Sequence, residues 1–136
     1  MMAIYPIMIS YKRIEENRLT RTENYLEIYS DGEALGSADH ITAEISHKGK
    51  ARLDSSKLES LALRLVDAIK KLSPPQNRQE MSVSIDVNHQ GFEGMVEYDS
   101  PVFPPSKEIG RLADELEEIF IETQRNSIMV KWGDVD

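Results

Sequence analysis

With 136 residues, 40% of them hydrophobic and 29% charged, the chain has the size and composition of one globular domain over residues 1–136. A net charge of −8 disfavours nucleic acid and anionic membrane as partners and favours a basic protein. With no cysteine, the sequence excludes disulfides, thiolate metal centres and a cysteine nucleophile, which accords with a cytoplasmic setting.

The apolar start MMAIYPIMIS has no Lys or Arg before it, is interrupted by Pro6 and is too short to span a bilayer. It is expected to be a buried first strand over residues 5–14, with Ile7, Ile9 and Tyr11 alternating against Met8, Ser10 and Lys12. The polar link 15–23 fits either an exposed loop or continued strand. A second strand over 24–30 places Leu26 and Ile28 on one face and Tyr25 and Tyr29 on the other, and Asp31-Gly32 turns it. Residues 33–39 are small and polar. A third strand is expected over 40–50, where Ile41, Ala43 and Ile45 alternate with Thr42, Glu44 and Ser46, and Lys48-Gly49-Lys50 would be its turn.

The strongest periodicity lies in residues 55–74. Leu58, Leu61, Ala62, Leu65, Ile69 and Leu72 fall on one stripe of an α-helix, widened by Leu63 and Val66. Ser56 is the expected N-cap, with Glu59 completing a capping box, and Ser73-Pro74-Pro75 ends the helix. After a surface loop, residues 82–99 read as a hairpin turning near Gly91, followed by a stiff Pro-rich connector over 100–105. Ser106 caps a second helix running to Gln124, whose inner stripe is Ile109, Leu112, Ala113, Leu116, Ile119 and Phe120. A short strand over 127–132 precedes the acidic tail. The expected order β-β-β-α-β-β-α-β implies an α+β two-layer sandwich: a mostly antiparallel sheet covered on one face by two amphipathic helices.

Chemistry is sparse in these residues. Asp86, Asn88, Gln90, Gly91 and Glu97 match an EF-hand calcium loop in spacing, but alternating residues precede them where a helix is required. His40 and His47 would lie on opposite faces of one strand and His89 at a hairpin tip, which makes all three surface or edge residues. No phosphate-cradling glycine loop, nucleophile elbow or dinucleotide fingerprint occurs, so no catalytic residue, cofactor or metal is assigned.

The best functional hint is the row of acids on the second helix. Asp114, Glu115, Glu117, Glu118 and Glu122 are placed on its outer face, with like charges four residues apart and no basic residue between them. Glu93 and Glu97 of the hairpin extend the same acidic surface. The expected function is a non-enzymatic protein-binding module, of the small acidic inhibitor or immunity type, that occludes a basic partner. Two alternatives come from other classes: a ligand binder or enzyme with its site in the sheet–helix cleft, and a homodimer pairing through an edge strand, either the first or the last. Trp132 would pack that last strand against a helix.

Overall fold

The structure, a computed structural model, describes residues 6–72, 82–99 and 104–133. Seven strands form one antiparallel sheet: β1 (Ile7–Glu16), β2 (Arg21–Tyr29), β3 (Glu33–His40), β4 (Ile45–Arg52), β5 (Val83–His89), β6 (Phe92–Tyr98) and β7 (Ile128–Lys131). Two helices, α1 (Ser55–Lys70) and α2 (Lys107–Gln124), cover one face. The spatial order β6-β5-β1-β2-β3-β4-β7 makes β6 and β7 the edges. The first strand is therefore interior, held between β2 and β5, and offers no edge for pairing. This is the expected α+β sandwich with one strand more than the sequence suggested.

The extra strand is the small, polar stretch 33–39, together with His40. It pairs with β2 on one side and β4 on the other. Residues 41–44, expected to be strand, are the tight turn between β3 and β4, with Glu44 at φ 56° and its N–H bonded to the Ile41 carbonyl at 3.2 Å. Lys48-Gly49-Lys50, expected to be a turn, lies in mid-strand. Packing accounts for both differences. Gly36 and Gly49 sit opposite each other in the β3–β4 ladder, and the fully buried Thr123 of α2 rests on them. A Cβ at Gly49 would fall on the Thr123 carbonyl, and one at Gly36 on its hydroxyl. Small residues are needed where a helix presses directly on sheet backbone, and they look like loop in the sequence. The polar link 15–23 resolves into continued strand around the Asn17–Thr20 turn, where the Asn17 carboxamide accepts from the N–H groups of Leu19 and Thr20.

Both helical stripes bury as the spacing demands. Leu58, Leu61, Ala62 and Leu65 of α1 lie in the core with the inward set Ile9, Tyr11, Leu26, Ile28, Val83, Ile85 and Val87 of the sheet. All six inner residues of α2 join them. Burying a Leu or Ile side chain of this kind contributes about 1.5–3 kcal/mol. Leu63, expected to widen the α1 stripe, is half exposed. The α1 cap is Asp54 and not Ser56: its carboxylate accepts from the Lys57 N–H at 2.7 Å, and the Ser56 hydroxyl donates to it at 2.8 Å. A charged acceptor at a helix N-terminus gains from the macrodipole as well as from the hydrogen bond. Ser106 caps α2, accepting from the Ile109 N–H at 3.1 Å. The expected helix stop at 73–75, the loop at 76–80, residues 100–103 of the connector and the tail 134–136 lie outside the described residues. No helix among the described residues is long and apolar enough to cross a membrane.

Candidate functional site

The strand alternation that fills the core leaves the opposite face of the sheet uncovered. Antiparallel register lines its side chains into rows that cross the strands. One row runs Met95–Asp86–Ser10–Glu27–Leu35–Lys50, from β6 to β4. The next runs Glu97–Ser84–Lys12–Tyr25–Ser37–Lys48–Ile128, from edge to edge. A third joins Glu93 and Asn88 at one end to Glu33 and Arg52 at the other, across the bulge of β1 near Met8.

The β5–β6 end of this face is acidic. Asp86, Glu93 and Glu97 surround the half-exposed Met95, and an open groove of about 340 Å³ runs between β1 and β6, lined by Met8, Ser10, Asp86, Asn88 and Glu93 among others. Burial and the nearby Glu97 carboxylate push the Asp86 carboxyl above its usual range. Asn88 meets Glu93 at 3.5 Å, but among the described residues no basic side chain meets any of the three acids. The hairpin is closed by the two-residue turn Gln90-Gly91, both at positive φ (49° and 81°). The calcium-loop spacing thus belongs to a strand–turn–strand unit, with Asp86 and Asn88 on one strand and Glu97 on the next.

The acidic row of α2 looks different from its expectation. Glu115 is bound in a two-pronged ion pair by Arg64 of α1, at 2.6 and 2.8 Å, and that guanidinium holds its carboxyl below the usual range. Glu122 pairs with Arg125 at 3.1 Å. Glu117 is not on the outer face: it turns toward the sheet and accepts from the Tyr11 hydroxyl at 2.7 Å. One turn from the buried Ala113, it lies at the flank of the inner stripe. Burial, then the Glu117 contact, pushes the Tyr11 phenol far up. Of this row, Asp114 and Glu118 are exposed and have no basic partner among the described residues. Two of the five acids are thus ion-paired and a third is turned inward onto a phenol, whereas the hairpin acids meet no base among the described residues.

The histidines also depart from expectation. His89 is buried: the inward alternation Val83, Ile85, Val87 continues through it, and its Nε2 lies 3.2 Å from Glu59 Oε1 on α1. That alternation was the available signal. His40 and His47 lie on neighbouring strands, not one, and share the helix-side face, with ring centroids 5.2 Å apart and edge to face. Among the described residues no three His, Cys, Asp or Glu side chains are grouped to hold a metal ion. Trp132 does not pack on a helix. Its indole N–H donates to Ser46 Oγ at 2.7 Å, and Ser46 in turn donates to Asp39, on the uncovered face.

No family model, no curated protein and no solved structure matches this chain.

Proposed function

We propose that the chain is a non-enzymatic protein-binding module, of the small acidic inhibitor type, working in the cytoplasm. Its working surface is the acidic end of the uncovered sheet face, and Asp86, Glu93 and Glu97 receive a basic partner around Met95. The supporting observation is the contrast in engagement: Glu115, Glu117 and Glu122 of α2 are bound to partners within the fold, while Asp86, Glu93 and Glu97 share a face and meet no base among the described residues. Exposed unpaired carboxylates steer a cationic surface into contact, and an apolar centre excludes water once it docks. The cysteine-free composition supports the compartment.

A pull-down from lysate of the source cell tests the module reading. The expected outcome is one stoichiometric basic protein retained at low salt and released at high salt. A retained protein that is acidic, or no retained protein at either salt, contradicts the reading. The cleft-enzyme alternative has one observation in its favour, the His89–Glu59 contact. The groove at the acidic end is not lined by that pair.

A further inference from the structure

The uncovered face carries a charge order that matches its own reverse. Each of the three rows carries an acid on β5 or β6 and a base on β4. Glu93 shares its row with Arg52, Asp86 with Lys50, and Glu97 with Lys48. All three bases are exposed, and among the described residues neither Lys48 nor Lys50 meets a carboxylate. A two-fold axis lying in the interface and parallel to the strands reverses strand order but leaves each row at its own height. With the axis over β2, the middle of the seven strands, β5 faces β4 of the other copy.

Resting on the reading of the acidic end as a protein-docking surface, we infer that a second copy of this chain is one partner it takes, with the two sheets packed face to face. Asp86 then meets Lys50 of the second copy, and Glu93 and Glu97, one strand further out on β6, lie diagonally across from its Arg52 and Lys48. The contact is isologous and closes as a dimer. Twisted sheets pack this way at about −30° between strand directions, which offsets the facing rows by about 5 Å at β5 and β4, a distance long Lys and Arg side chains span.

The size is adequate. Seven strands about 4.8 Å apart, carrying rows about 7 Å apart, give a face of roughly 29 by 20 Å. Burying it on both copies removes on the order of 1,200 Å² from water, at the lower bound of stable interfaces. The net charge of −8 opposes association, but that repulsion is spread over the surface and screened within about 8 Å at physiological salt. The matched rows act at contact. Two like-charge meetings remain, because Glu27 and Glu23 on β2 lie near the axis and face their own copies; Glu23 has Lys12 and Arg21 beside it, whereas Glu27 has no base among the described residues.

Sedimentation equilibrium at physiological salt tests this with two variants. One carries Asp86→Lys, Glu93→Lys and Glu97→Lys; the other carries Lys48→Glu, Lys50→Glu and Arg52→Glu. The wild type is expected to approach twice its 15.5 kDa with rising concentration. Each variant alone is expected to stay monomeric, and an equimolar mixture to form a heterodimer. Glu27→Gln should tighten the wild-type dimer severalfold. All six reversals are at surface positions, and circular dichroism checks that both variants fold. Should either triple variant unfold, the single pair Asp86→Lys and Lys50→Glu replaces it in the same mixing test.

A wild type that stays monomeric overturns the inference. Variants that still dimerise overturn it too, and assign the contact to the β6 or β7 edge. A synthetic Lys/Arg-rich peptide, added to the wild type in the same cells, separates the two levels. A monomer that binds the peptide through Asp86, Glu93 and Glu97 sinks only the self-association; one that does not bind it sinks the acidic-end reading as well.

Discussion

The two faces of the sheet are written by the same strands and obey opposite rules. On the covered face, Ile9, Leu26, Ile28 and Ile85 are fully buried, and the backbone at Gly36 and Gly49 is in direct contact with α2. On the uncovered face, the alternate residues of those strands are Ser10, Lys12, Tyr25, Glu27, Lys50 and Asp86, with, among the described residues, an unpaired acid toward one end and an unpaired base toward the other. The first face is constrained by volume, so any added atom is felt. The second is constrained by charge, so atoms are cheap to change there and sign is not. Under the proposed function, stability and recognition fall on opposite sides of one sheet and should respond to different substitutions.

The sharpest contrast is between neighbours in β4. Gly49→Ala puts a methyl group on the Thr123 backbone and is expected to cost about 3 kcal/mol in a urea-unfolding experiment. Lys50→Ala, one residue on and on the other face, is expected to stay within about 0.5 kcal/mol. Equal losses at the two positions would erase the distinction between the faces.

Alkaline pH probes the covered face more gently. Burial pushes the Tyr98 phenol up to about 12 and the Tyr11 phenol higher still, where Glu117 adds to the effect. A phenol whose pKa is raised on folding stabilises the fold fully below its unfolded value near 10 and loses that contribution as pH rises through the folded value. The urea midpoint of the wild type should therefore fall between pH 10 and 12. Tyr11→Phe should start lower, because Glu117 loses its donor, and fall less steeply. A midpoint flat to pH 12 would mean that these phenols are not held neutral by the fold.

The smallest expected effect links the two faces. Asp86 is raised by burial and by Glu97, so its ionised form is disfavoured in the folded state at neutral pH. Asp86→Asn removes that penalty and should raise the urea midpoint slightly at pH 7, with the gain vanishing as pH falls below the usual carboxylate range. The same change should weaken binding of the basic partner. A variant that is less stable and binds equally well would place Asp86 among structural residues.

Much of this fold is legible in the sequence because burial follows period. The stripes Leu58–Leu65 and Ile109–Phe120, and the alternations at Ile9–Tyr11, Leu26–Ile28 and Val83–Val87, report which side faces the core. Residues 33–40 are not legible as a strand. Gly36 has no side chain because Thr123 of α2 rests on the sheet backbone there, and such contact leaves no local signature. The candidate site divides in the same way. Glu93 and Glu97 could be placed on a hairpin from alternation alone. Arg64 lies 51 residues from Glu115 and Tyr11 lies 106 from Glu117, so no local pattern could announce that the acids of α2 are already engaged. The charge order of the uncovered face depends on strand order and register, which periodicity does not determine.

The central claim is that recognition lies on the uncovered face at its acidic end, and paired charge reversals measure it most directly. Affinity for the basic partner is compared between the wild type, the Asp86→Lys, Glu93→Lys, Glu97→Lys variant and an Asp114→Lys, Glu118→Lys variant. The hairpin reversals are expected to abolish binding and the helix reversals to change it less than threefold. Full binding by the hairpin variant, with loss in the helix variant, would contradict the account and return the working surface to α2.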